Sequence, residues 1–153
     1  MRYAARTAVP QDRSRQEIER TLIRYGADQF IYGWEGRAAF IRFKMKDRFI
    51  MLRLVMPDNK EVSATPTGRK RRGTAVEKEL EVAKRQRWRA LALVIKAKLE
   101  AVESGIASFE NEFLAYTMLP SGETTGDWMA PQLQAAYERG VKPKALPLPS
   151  ECR

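Results

Sequence analysis

The stretch AAFIRFKMKDRFIMLRLVM, residues 38–56, decides the fold class. From Ala38 to Met45 the side chains alternate, with Ala39, Ile41, Phe43 and Met45 on one side and Phe40, Arg42 and Lys44 on the other. That period of two is the signature of a strand. Lys46-Asp47-Arg48 is a short polar connection, and Phe49–Met56 is more uniformly apolar, which suits a strand covered on both faces. Pro57-Asp58-Asn59 ends it. Upstream, Gln29–Trp34 is rich in aromatic and β-branched residues and is followed by a turn at Glu35-Gly36. Three strands joined so closely predict an antiparallel meander.

Helical patterns flank the meander. Residues 14–25 put Ile18, Leu22 and Tyr25 on one face, Ser14 and Glu17 have capping-box spacing, and Gly26 suits the stop. Residues 3–9 read as extended, stopped by Pro10 and the polar run Gln11-Asp12-Arg13. Residues 57–73 form a long connection with Pro57, Pro66, Gly68 and Gly73, and a short strand is expected around Glu61–Ala64. The strongest helical pattern covers 74–104. Leu80, Ala83, Trp88, Leu91, Ile95, Leu99 and Val102 recur mostly at spacings of three and four, between a capping box at Thr74 and Glu77 and a stop at Gly105. Glu77, Glu79 and Glu81 favour its start through the helix dipole. At 1.5 Å per residue it would run about 46 Å, so it either overhangs the sheet or breaks near Arg85-Gln86-Arg87. Ser108–Met118 and Asp127–Arg139 predict two further helices, with Pro131 tolerable only near the first turn of the second and Gly140 as its stop. The expectation is one α+β domain over residues 1–140. In it, a small antiparallel sheet of three or four strands packs against the N-terminal helix and the long central helix. Residues 141–153, with Pro143, Pro147 and Pro149, read as a proline-rich tail that is extended or disordered.

Composition narrows the chemistry. The chain has 153 residues, 28 Lys+Arg against 19 Asp+Glu, a formal net charge of +9, no His and one Cys. Without His, Ser-His-Asp and Cys-His catalysis and His-ligated zinc are excluded. Cys152 has no partner for an intramolecular disulfide, which fits a cytoplasmic setting. No apolar run nears the roughly 20 residues of a membrane helix, and Met1–Arg6 lacks the apolar core of a signal peptide. Glu110 and Glu112 lie two apart and do not share a helix face. Glu77 and Glu81 do share one, but acidic residues near a helix start are usually dipole partners rather than Mg²⁺ ligands. Gly26, Gly33 and Gly36 form no phosphate-binding motif. Trp34, Trp88 and Trp128 read as parts of a common core. The sequence thus favours a non-enzymatic protein with no cofactor and no metal.

Charge is unevenly spread. Residues 37–60 carry seven basic and two acidic side chains, and residues 61–73 carry four and one. The run Arg69-Lys70-Arg71-Arg72 stands just before the long helix. Cationic side chains neutralise phosphates and release counterions without reading sequence. Arg42 and Lys44 share a strand face with Phe40, where aromatic and Arg planes can stack on unpaired bases. The candidate nucleic-acid-binding residues are therefore Arg37, Arg42, Lys44, Arg48, Arg69, Lys70, Arg71, Arg72, Arg85 and Arg89. They are expected to converge into one contiguous patch. Against this stands the ordinary reading, in which a charge run is a solvated face and Phe40, Phe43 and Phe49 are core residues.

The order of helix 14–25, three strands and helix 74–104 resembles that of double-stranded-RNA-binding domains. The basic run before Thr74 loosely matches the cluster that opens their second helix. The 17-residue connection and the acidic helix start depart from that pattern. The stretches Glu17–Leu22 with Tyr25-Gly26-Ala27, and Arg87-Trp88-Arg89-Ala90-Leu91, look like those of small uncharacterised phage and prophage proteins. That likeness implies an accessory role in phage DNA replication or recombination, or in host takeover, inside a bacterial cell. The leading expectation is electrostatic binding of DNA or RNA, away from membranes. The alternative is a protein-interaction module, such as a phage-encoded inhibitor or an assembly subunit, with an acidic protein partner. The helix 74–104 also offers a surface to a second copy of the chain.

Overall fold

The structure, a computed structural model, describes residues 9–142, with side chains from Arg13 onward. The expected extended stretch before residue 9 and the proline-rich tail from Pro143, including Cys152, lie outside the described residues. The protein is α+β: helix α1 (Val9–Arg24), strands β1 (Gln29–Glu35), β2 (Ala38–Met45) and β3 (Arg48–Val55), a single turn α2 (Asn59–Val62), the long helix α3 (Thr74–Glu103), a short α4 (Phe109–Glu112), a 3-10 turn (Leu114–Tyr116) and helix α5 (Thr125–Arg139).

The strands form one antiparallel sheet in the order β1-β2-β3. Its register pairs Tyr32 with Ile41 and Ile41 with Leu52, so the alternation read in β2 extends across all three strands. The inner face carries Phe30, Tyr32, Ala39, Ile41, Phe43, Met45, Ile50 and Leu52, and α1 and α3 cover it. Ile18 and Leu22 of α1, and Trp88, Leu91, Ala92, Ile95 and Leu99 of α3, are buried there. Trp88 is fully enclosed, with its ring 5.4 Å from that of Tyr32. Trp34 is half exposed at the end of β1 and Trp128 lies on α5, so the three tryptophans do not share a core. On the outer face Phe40 lies across Gly33, where a Cβ would stand 2.5 Å from the ring.

Several local expectations are corrected. Helix α1 begins by Val9, not at Ser14, because Pro10 is compatible with a first helical turn and Gln11–Arg13 continue the pattern. The predicted strand at Glu61–Ala64 is instead the turn α2, capped by Asp58, followed by an isolated bridge between Ala64 and Lys70. Helix α3 runs unbroken through Arg85–Arg87, and its N-cap is Gly73 with no side-chain cap, so the Thr74 box does not form. The expected helix 108–118 is split. Phe109 and Phe113 are buried against the end of the core, with Phe113 edge-on to Phe43 at 5.9 Å. The chain then leaves helical geometry so that Thr117 can bridge Ile50 and the Met118 N–H can donate to the Phe49 carbonyl at 2.8 Å. Having passed the β3 edge, it places the first turn of α5 beside the outer face of β3. There Arg53 pairs with Asp127 at 2.9 Å and Met51 is buried, so mid-β3 is covered on both faces. Pro131 is the seventh residue of α5, beyond the first turn where it was expected.

The β2–β3 reversal uses Lys46 and Asp47, both at positive φ (49° and 57°), where Asn-Gly would be the unstrained choice. Asp47→Gly should therefore stabilise the protein by about 1 kcal/mol, read as a higher urea midpoint at unchanged slope. Trp88→Ala should cost about 3–5 kcal/mol in the same measurement, the range for emptying a fully buried aromatic site.

Candidate functional site

The predicted cations do not form one patch. β3 is eight residues long, so its two ends stand about 24 Å apart. Arg42, Lys44 and Arg48 lie toward the 46–47 turn, with Arg42 and Lys44 on the outer face. Arg37 and the segment 58–72 lie at the opposite end, beside the first half of α3.

Neither are the cations equivalent. Arg37 is paired with Asp58 at 3.0 Å. The Asp58 carboxyl is held below the usual carboxylate range by the Glu61 backbone N–H, with Arg37 adding to the effect. Lys44 stands 3.4 Å from Asp47 and 3.9 Å from Asp28. Arg71 is a pin: its Nη1 donates to the carbonyls of Val62 and Ala64, each at 3.0 Å, and Nη2 stands 3.9 Å from Glu79. The backbone completes the hairpin, with Arg71 N–H donating to Ser63 at 2.7 Å and Thr65 N–H to Arg69 at 2.9 Å. Held this way, Arg69, Lys70 and Arg72 are exposed and make no ion pair among the described residues. Arg87 anchors the same segment from α3, donating to the Val55 carbonyl and to Glu61.

A further set lies along α3, only half of it expected from the sequence. Lys78, Arg85, Arg89 and Lys96 stand at i, i+7, i+11 and i+18, which at 100° per residue keeps them within about 40° on one side of α3. All four are exposed, and none forms an ion pair among the described residues; Arg85 donates only to the Glu81 carbonyl at 3.4 Å. Glu81 flanks the row and is engaged by Lys84 at 3.5 Å. The row covers about 27 Å and begins within two turns of the basic hairpin. Of these residues Arg85 and Arg89 were singled out in the sequence. Lys78 and Lys96 carry the same helical period, which would have revealed them. Among the described residues no three acidic or Cys side chains converge, and no helix is long and apolar enough to cross a membrane.

The pinning role of Arg71 separates it from its neighbours. Arg71→Ala should speed hydrogen exchange at the Thr65 and Arg71 amides at least tenfold and lower stability by about 1–2 kcal/mol. Arg69→Ala and Arg72→Ala should change stability by less than about 0.5 kcal/mol.

Comparisons with protein-family models, with curated proteins and with solved structures gave no match for this chain.

Proposed function

We propose that the protein is a non-enzymatic nucleic-acid-binding accessory protein that grips the phosphate backbone electrostatically. The surface is the hairpin cations Arg69, Lys70 and Arg72 together with the α3 row Lys78, Arg85, Arg89 and Lys96. The observation that carries the reading is the division of the cations. Those at element junctions (Arg37, Arg53, Arg71, Arg87 and Lys98) are each paired with a carboxylate. Arg69, Lys70, Arg72, Lys78, Arg85, Arg89 and Lys96 have no such partner among the described residues. Uncompensated charge on a projecting surface supplies the affinity of backbone recognition, because each phosphate neutralised releases condensed counterions. A row of about 27 Å matches roughly eight base-pair steps of a duplex. The reading assigns no base specificity to this surface and makes Arg37, Lys44 and Arg71 structural rather than ligand-binding.

A protein-interaction role draws support from a different place. Leu133 and Tyr137 of α5 and the following Val141 are exposed at spacings of four, with Tyr137 87% accessible. Capture of a partner there would be indifferent to the α3 row.

Fluorescence anisotropy with labelled single- and double-stranded oligonucleotides at two or more ionic strengths tests the proposal. For a duplex contacted by all seven cations, log K should fall against log salt with a slope near −6. The variant with Lys78, Arg85, Arg89 and Lys96 all changed to Gln should flatten that slope by about 3 to 4 while remaining folded. A slope near zero for the parent protein, or one the variant does not alter, would reject this surface.

A further inference from the structure

On the outer face of the sheet, away from α3, a cavity of about 420 Å³ opens between the β2–β3 turn and the residue 118–122 turn. Its size lies in the range of small-molecule sites. One wall is apolar, formed by Phe49, Met118 and Pro120, and Phe49 is 40% exposed. Arg42 and Arg48 supply the other side, with Gln29 at the edge.

Arg42 is the informative residue. Its Nε is buried without a hydrogen-bond partner, and it forms no ion pair among the described residues. Its guanidinium carbon stands 5.8 Å from the centre of the Phe49 ring. The enclosed Nε is not itself open to a ligand; what lines the cavity is the rest of the Arg42 side chain, held beside the Phe49 ring. Arg48 is also uncommitted to any carboxylate, its Nη1 reaching only the Asp47 carbonyl at 3.4 Å. The Asp47 carboxylate that borders the cavity is engaged by Lys44, so the local balance is cationic.

We infer that this cavity binds a nucleotide unit, with the base stacked against Phe49 and the phosphate held by Arg42 and Arg48. The requirements are specific. Two guanidinium groups favour a phosphate, which accepts paired N–H donors. An exposed aromatic ring beside them favours a flat π-system attached to that anion. The amide of Gln29 offers both a donor and an acceptor to a heterocycle edge. A free mononucleotide and an unpaired terminal nucleotide of a strand share this chemistry. The site shares no residue with the α3 row, so the two can succeed or fail separately.

The test is a titration of the 153-residue chain followed by amide NMR shifts. The probes are the four nucleoside 5′-monophosphates, the matching nucleosides, inorganic phosphate and a 5′-phosphorylated trinucleotide. At least one monophosphate or the trinucleotide should saturate shifts at Gln29, Phe49 and Met118. The nucleosides and inorganic phosphate should bind at least tenfold more weakly. Saturation by the trinucleotide alone identifies a strand end as the natural source. Saturation by a monophosphate identifies the free nucleotide as sufficient. Arg42→Gln and Phe49→Leu should each weaken binding about tenfold or more. If either lacks a cooperative unfolding transition, Arg48→Gln, at an exposed position, carries the same expectation. The α3 variant with its four cations replaced by Gln should bind the probe unchanged. Absence of saturable binding, equal binding of inorganic phosphate or of nucleoside, indifference to all three substitutions, or loss in the α3 variant would each overturn the assignment.

Discussion

A length mismatch governs the molecule: a 30-residue helix of about 45 Å rests on strands of about 24 Å. Only the portion from Trp88 to Leu99 has the sheet beneath it, and there every core-facing position is buried. The preceding stretch of nearly four turns projects beyond β3. That projection is not left bare, because the connection after β3 folds back under it. Asp58 caps the turn α2, Glu61 receives Arg87, and Arg71 ties the hairpin to itself and to Glu79. The connection that looked like a loose loop is thus a shelf built against the overhang. Its cations are presented from a fixed backbone, which would lower the entropic cost of the proposed contact.

The charges divide by role. Where two elements meet, a cation is matched: Arg53 to Asp127 between β3 and α5, Lys98 to Glu112 between α3 and α4, and Arg87 to Glu61 between α3 and α2. Exposed pairs of this kind contribute little stability each, and their value is in fixing how the elements sit. The cations outside these junctions account for the surplus of basic charge. A net charge of +9 says nothing by itself about a ligand. What gives part of it direction is the alignment of Lys78, Arg85, Arg89 and Lys96 along one side of α3, next to the exposed hairpin cations Arg69, Lys70 and Arg72.

The sheet was legible to within a residue at most strand ends, because burial of alternate side chains imposes a period that local propensity does not obscure. The extent of α3 was legible for the same reason. What was not legible depended on distant partners. Nothing near Phe113 announces that the helix must end so that Met118 can reach the Phe49 carbonyl. The Thr74 capping box had the right letters, but Gly73 takes the cap position at the hairpin exit. At the candidate site, the basic run stood out, yet the sequence could not tell that Arg71 is consumed by the carbonyls of Val62 and Ala64. The separation of Arg42 and Arg48 from the hairpin follows from the direction of β3 and needs the register. Lys78 and Lys96 were readable from spacing alone; counting charge by segment hid them.

The central claim is that uncompensated cations on the hairpin and on one side of α3 form the contact surface for a phosphate backbone. Amide shift mapping with an unlabelled duplex and a single strand addresses it most directly, because it reports location as well as affinity. The account predicts shifts clustered at residues 69–72 and around Lys78, Arg85, Arg89 and Lys96, fading as salt is raised. Shifts confined to α5, or none at low ionic strength with either oligonucleotide, would contradict it.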